Sequence, residues 1–264
     1  MTKRITISTL DAMKASGDKF VMITAYDATF ARLASEAGAE TILVGDSLGM
    51  VLQGHETTIP VSLEAMVYHT ECVARAKPRS LIVADLPFMS FSNPDDALHA
   101  STQLMQSGAQ MVKLEGGTWL SDSIHRLVER GVPVCAHLGL TPQSVNVFGG
   151  YRVQGRTPKE AKSILADAVE IQDAGASLLV LECIPAELAR DIASKLDIPV
   201  IGIGAGGGTD AQVLVLHDML GMTENAPKFV QNFMKGADSI QDALTAFVRA
   251  VKSGEYPQEE HTYS

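Results

Sequence analysis

Four acidic residues stand at the ends of short apolar runs, where carboxylates can gather to hold a metal ion or move a proton. Asp46 follows the run 41–45, Asp85 follows 81–84, Glu115 follows 111–114 and Glu182 follows 178–181. Three of the runs come shortly after a glycine set between small residues: Ala37-Gly38-Ala39, Ser107-Gly108-Ala109 and Ala174-Gly175-Ala176. Such a glycine ends a helix in the left-handed conformation, and the apolar run after it reads as a buried strand. Parallel α/β folds collect their active sites at the carboxyl ends of strands. Adjacent strands lie roughly 4.8 Å apart, so Asp46, Asp85 and Glu115, on successive strands, can converge on one point. Crowded carboxylates repel one another, and oxygen-only ligation favours a hard divalent cation such as Mg²⁺. For any one of these acids taken alone, helix capping or pairing with a surface base is the alternative.

The fourth strand also carries a cation. Lys113 and Glu115 are two residues apart, so both point toward the barrel axis while Val112 and Leu114 meet the helices. A lysine in that interior needs a partner. It forms an ion pair with Glu115 or Asp85, or it holds an anionic substrate beside the metal, and the two roles are compatible. Glu182 ends the sixth strand, across the mouth from strands two to four, which suits a general base kept apart from the metal. Capping the helix that follows Pro185 is its other reading. His137, at the end of the fifth strand, either orients substrate and relays a proton or is a hydrogen-bonded core residue.

Eight apolar, β-prone runs are available to position these groups: 21–25, 41–45, 81–84, 111–114, 132–136, 178–181, 199–203 and 213–216. They are continuous rather than alternating, as expected of a parallel sheet covered on both faces. Helical spacing links Leu63, Met66, Val67, Thr70 and Val73. Asn93-Pro94-Asp95-Asp96 reads as an N-cap with proline in the first turn, and Thr157-Pro158-Lys159-Glu160 as a capping box. Repeated strand–helix alternation gives an α/β fold, one (β/α)8 TIM barrel over 1–264 with an N-terminal extension at 1–20. Only a turn or a very short helix fits at 204–212. Segments 49–60 and 138–157 are long enough to be lids or binding loops. A helix is expected from 228 to 252, and the polar tail 253–264 is expected to be mobile or packed on a neighbour. Gly202-Ile203-Gly204-Ala205-Gly206-Gly207 matches a dinucleotide fingerprint, but it follows the seventh strand and lacks room for the helix that motif requires. Its glycines are expected to keep the site open or let backbone amides approach a ligand.

Composition narrows the function class. The 264 residues are 46% hydrophobic, enough for a large core, and carry a formal net charge of −10 with no basic stripe, which argues against nucleic-acid binding. No apolar run approaches the length of a membrane span. The N-terminal residues lack the apolar core of a signal peptide. The three cysteines, Cys72, Cys135 and Cys183, are scattered and match no zinc or disulfide spacing. These features lead us to expect a cytoplasmic protein that acts on small molecules.

Longer motifs then resemble a known family. They include Ile23-Thr24-Ala25-Tyr26-Asp27, Val44-Gly45-Asp46-Ser47-Leu48-Gly49-Met50 and Gln53-Gly54-His55-Glu56-Thr57-Thr58. Further along stand Ala84-Asp85-Leu86-Pro87-Phe88-Met89, Val112-Lys113-Leu114-Glu115-Gly116-Gly117 and His137-Leu138-Gly139-Leu140-Thr141-Pro142-Gln143. Phe148-Gly149-Gly150-Tyr151, Val153-Gln154-Gly155-Arg156 and the closing Tyr256-Pro257 with Glu259-Glu260-His261 are the most specific. Nearly the whole chain resembles the ketopantoate hydroxymethyltransferases. The resemblance implies a barrel of the phosphoenolpyruvate/pyruvate-binding type that uses Mg²⁺. It implies transfer of a one-carbon unit from 5,10-methylenetetrahydrofolate, as co-substrate, to 3-methyl-2-oxobutanoate. It further implies Asp46, Asp85 and Glu115 at the metal, Asp46, Ser47, Asp85 and Lys113 at the oxo acid, and Glu182 as proton acceptor. A homo-oligomer, a homodecamer in the family, is implied as well. The sequence departs mainly at 221–227, which is shorter than the family pattern. A Mg²⁺-dependent lyase or aldolase acting on a 2-oxo acid without folate would present the same carboxylates and differ in loops such as 149–156.

Overall fold

Eight parallel strands close in chain order into a barrel in the computed structural model, which describes residues 4–264. They are β1 (Phe20–Thr24), β2 (Thr41–Val44), β3 (Leu81–Asp85), β4 (Met111–Glu115), β5 (Val134–Gly139), β6 (Leu178–Glu182), β7 (Val200–Ile203) and β8 (Ala211–Leu214). β8 pairs in parallel with β1 and completes the closure. Residues 1–3 of the expected N-terminal extension lie outside the described residues. The remainder of that extension holds a helix, Ile7–Ser16.

Local chemistry accounts for the elements around the barrel. Both faces of β1 to β4 are buried along their whole length, which is why their sequences are largely apolar runs, with Thr24, Thr41, Lys113 and the strand-ending Asp85 and Glu115 as the polar exceptions. Gly38, Gly108 and Gly175 have φ of +97°, +113° and +107°, so the chain leaves each helix at those points and enters β2, β4 and β6. Asn93 Oδ1 accepts from the backbone N–H groups of Asp95 and Asp96 at 3.0 Å, starting helix Pro94–Gln106. Thr157 and Glu160 form the expected reciprocal capping box of helix Pro158–Asp173.

Three expectations are corrected. The eighth strand runs two residues earlier than the apolar run 213–216, because polar Gln212 is buried on the outward face of the strand, under the connection from β7, where it and Thr209 satisfy each other. Gln212 Nε2 donates to Thr209 Oγ1 at 2.8 Å and to the Gly206 carbonyl at 3.0 Å. The segment 228–252 is not one helix. Helix Ile240–Ser253 begins after Ser239, whose hydroxyl accepts from Asp242 N at 3.1 Å. Before it, the chain wraps across the barrel with Phe229 and Phe233 buried, and Phe233 N donates to the Met219 carbonyl at 2.8 Å. The tail 253–264 packs on its own barrel. The Tyr256 ring meets Phe233 and Phe247, and the Tyr263 carbonyl accepts from Ala186 N at 3.1 Å. A loop, with no helix, joins β7 to β8, as the spacing demands. Gly204 and Gly206 have φ of +59° and +74°, and a Cβ on them would crowd Phe229 and Ala186 respectively.

Candidate active site

The carboxyl ends of β2 to β6 bring six of the seven sequence-selected polar groups into one connected network. Register does much of this: Asp85 pairs with Lys113, Glu115 with His137, and Gly139 with Glu182 on adjacent strands. Lys113 Nζ lies 3.0 Å from Asp85 Oδ1 and 3.5 Å from Glu115 Oε1. His137 Nδ1 is 3.2 Å from Glu115 Oε1 and 3.1 Å from Lys113 Nζ, and its Nε2 is 3.3 Å from Glu182 Oε2. Asp85 Oδ2 accepts from the Asp46 backbone N–H at 3.0 Å, tying β3 to β2. The expected separation of Glu182 from the acids is therefore bridged by one imidazole. Ser47, the seventh group, sits at the rim of the same cavity, where its Oγ is 3.0 Å from the Tyr26 hydroxyl.

Asp46, Asp85, Lys113, Glu115 and His137 are each 2–5% exposed, so their charges act on one another with little solvent screening. Burial, reinforced by the like charges of Asp85 and Glu115, holds the Asp46 carboxyl well above the usual carboxylate range. Burial also raises Asp85, against the pull of Lys113. Glu115 behaves differently: burial would raise it, but Lys113 and His137 outweigh that and hold it down at about 2. Burial and Lys113 would lower His137, yet Glu115 and the contacts to Glu115 and Glu182 lift it to about 9. Burial opposes the Lys113 charge too, and the three acids overcome it, keeping the ammonium protonated.

Sequence reasoning passed over Gln143 as a site residue. Its backbone N–H donates to Glu115 Oε2 at 3.1 Å, and its side-chain amide donates to Asp46 Oδ2 at 2.8 Å and to the Leu86 carbonyl at 3.0 Å. One neutral residue thus aims two acids from different strands. Its signal in the sequence was its place at the close of the motif His137–Gln143. Glu182 is aimed by backbone. Gly139 has φ +91°, and a Cβ there would stand 2.3 Å from the Glu182 carbonyl oxygen. Cys183, next along the chain, holds the left-handed conformation at φ +46° without being glycine. Non-glycine residues are seldom held there except where surrounding structure fixes them, as at functional sites.

The seven sequence-selected groups line a cavity of about 870 Å³ at the barrel mouth. Opposite the charged half, the ends of β7, β8 and β1 contribute Ile203, Val213 and Thr24, followed by Val215, His217 and Asp218. Burial raises the Asp218 carboxyl, partly offset by the Thr223 hydroxyl bond and by His217. Tyr263 and Phe229 complete the wall from the C-terminal segments.

The charged half fits a hard cation in its chemistry. Asp46, Asp85 and Glu115 offer only oxygen donors, and Asp85 Oδ1 is buried with no aligned hydrogen bond among the described residues. The Lys113 contact to that oxygen is within ion-pair distance but poorly directed for a hydrogen bond. Burial and the neighbouring acids disfavour a bare charge on Asp46, and a divalent ion would offset that repulsion. As the side chains stand, Lys113 and Gln143 lie among the acids, and no three His, Cys, Asp or Glu groups among the described residues form a finished chelate.

Comparison with known proteins bears on this constellation. The ketopantoate hydroxymethyltransferase family matches residues 4–259. The 3-methyl-2-oxobutanoate hydroxymethyltransferase 2 of Pseudomonas entomophila (strain L48) is 57% identical over 262 residues, covering 98% of each chain. The 3-methyl-2-oxobutanoate hydroxymethyltransferase of Marinobacter nauticus is 57% identical over 260 residues, again 98% of each. Among solved structures, phosphonopyruvate hydrolase in complex with oxalate and Mg²⁺ superposes with a TM-score of 0.61 at 13% identity, over 97% of this chain and 92% of that one. A 2,3-dimethylmalate lyase of the PEP mutase/isocitrate lyase superfamily gives 0.58 at 18% identity, over 81% and 79%. Those two likenesses concern the barrel fold alone. With the family matched almost end to end, the chain belongs to the ketopantoate hydroxymethyltransferases.

Proposed function

We propose that the protein transfers a hydroxymethyl group from 5,10-methylenetetrahydrofolate to 3-methyl-2-oxobutanoate, giving 2-dehydropantoate for pantothenate biosynthesis. Asp46, Asp85 and Glu115 would hold Mg²⁺, which when bound supplies Lewis-acid polarisation of the keto group. The observation that carries this reading is the buried surplus of carboxylates around one lysine, joined through His137 to a fourth carboxylate facing the same cavity.

The chain's own groups divide the work. Lys113, with three donors, binds the substrate carboxylate and steadies charge that develops on the enolate oxygen. Ser47, anchored on Tyr26, orients the oxo acid from the second strand. Gln143 fixes Asp46 and Glu115 relative to one another. Glu182 takes the hydrogen from the branched carbon beside the ketone, and His137 holds that carboxylate in place. The resulting carbon nucleophile bonds to the folate methylene. One of the methylene's two carbon–nitrogen bonds breaks as the carbon–carbon bond forms, and the other breaks as water adds the hydroxyl oxygen. Each nitrogen keeps its electron pair and gains a proton, one taken from the oxo acid through Glu182 and one from water.

Residues 1–264 act in this reading as one barrel domain, in the cytoplasm, within a homo-oligomer that the family resemblance makes a homodecamer. Glu182→Gln tests the assignment of the base. Solvent deuterium exchange into 3-methyl-2-oxobutanoate should fall by roughly 10²–10⁴ while the oxo acid still binds. Exchange at the normal rate would remove Glu182 from the role. Product formation with and without the folate separates the proposal from a folate-independent aldolase.

A further inference from the structure

The cavity is divided. Every charged group assigned above comes from β2 to β6, whereas the ends of β7, β8 and β1 present an apolar wall of Ile203, Val213 and Val215 with two titratable side chains, His217 and Asp218. A five-carbon oxo acid on Lys113 fills only a small part of about 870 Å³. We infer that the second half seats the pterin ring of the folate, with Asp218 and His217 recognising its 2-amino-4-oxopyrimidine edge. This rests on the proposed one-carbon transfer and adds to it a place for the donor.

Asp218 is prepared for such a partner. Thr223 Oγ1 donates to its Oδ1, and no donor among the described residues reaches Oδ2. A 2-amino-4-oxopyrimidine carries a ring N–H and an amino N–H side by side, a donor pair that a carboxylate can accept in bidentate fashion. His217 lines the same wall, and its Nδ1 is buried with no hydrogen-bond partner among the described residues. Protein covers that nitrogen, so the ring reaches the cavity through its other edge. Val213 and Val215 offer a flat-faced heterocycle an apolar surface beside these polar groups, the usual composition of a cofactor pocket.

The two halves are also mechanically joined. Tyr26 is buried behind the cavity, with its hydroxyl on Ser47 in the charged half and its ring 5.7 Å from the His217 ring in the other. The two halves belong to one cavity, so ligands seated in them can lie side by side.

The test compares Asp218→Asn with the unsubstituted protein in the presence of Mg²⁺. Asparagine keeps an acceptor for Thr223 but turns an N–H₂ group toward the pterin donors. The dissociation constant for tetrahydrofolate, kept reduced and read by fluorescence quenching, should rise at least about tenfold. Affinity for 3-methyl-2-oxobutanoate and the rate of its deuterium exchange should stay within about twofold, which also shows that the barrel is folded. Asp218→Ala repeats the measurement without the misplaced donor and should lose folate affinity in the same way. If both variants bind tetrahydrofolate like the parent, the subsite is wrong while the proposed reaction stands. If the parent itself exchanges the oxo acid but binds no tetrahydrofolate, the proposed donor and the subsite both fall.

Discussion

The two ends of the barrel treat their acids in opposite ways. At the amino-terminal end, Glu40 pairs with Lys252 and also accepts from the Val21 backbone N–H at 3.0 Å. Asp210 pairs with Lys14 at 2.7 Å and accepts from Val200 N at 2.8 Å. Each acid there has one lysine and one strand amide, so its charge is matched and its place in the sheet is fixed. At the carboxyl end, Asp46, Asp85 and Glu115 share a single lysine, and a fourth acid joins them through His137. Charge balance thus separates ion pairs that secure the fold from a cluster arranged for a cationic or anionic ligand.

The largest effect expected from breaking this contrast comes from Lys113→Met. It leaves Asp85 and Glu115 buried without their counter-ion, and removing one partner of a buried pair costs about 3–5 kcal/mol. Urea unfolding in the presence of a chelator should show a loss of that size. At the other end, Glu40→Ala strands the Val21 amide and frees Lys252, a loss of about 1–3 kcal/mol that added Mg²⁺ should not repair. Asp46→Asn is the opposite case. It relieves repulsion among three carboxylates, so the chelated variant should be as stable as the parent or more stable by up to about 1 kcal/mol. The rise in Tm that Mg²⁺ gives the parent should shrink or vanish in that variant. A Mg²⁺-dependent shift of equal size in the Asp46 and Glu40 variants would erase the distinction between the two ends.

Much of the barrel could be read along the chain because parallel strands buried on both faces leave continuous apolar runs. The acids that end them stand out for the same reason: a charge closing an apolar run has few structural explanations. Reading failed where side chains satisfy one another out of sequence. Gln212 and Thr209 look like loop residues until their mutual hydrogen bond shows both buried, with Gln212 already part of the strand. Phe229, Val230, Phe233 and Met234 imitate helical spacing, yet they lie across the barrel top in a segment that precedes the Ser239 cap. Gln143 escaped because an uncharged amide gives no chemical signal; its importance comes from reaching acids on two strands at once. The link from Glu115 through His137 to Glu182 likewise depends on strand register, which spacing alone does not supply.

The left-handed backbone of Cys183 has a consequence for anyone selecting hardier versions of this enzyme. Glycine there would relax a conformation that costs a β-carbon about 1 kcal/mol, and screens for heat tolerance should favour it. The same change would loosen the reversal that directs the neighbouring Glu182 side chain. We expect Cys183→Gly to melt a few degrees higher and to exchange substrate protons more slowly, so survivors of a thermal screen should be checked for turnover before they are kept.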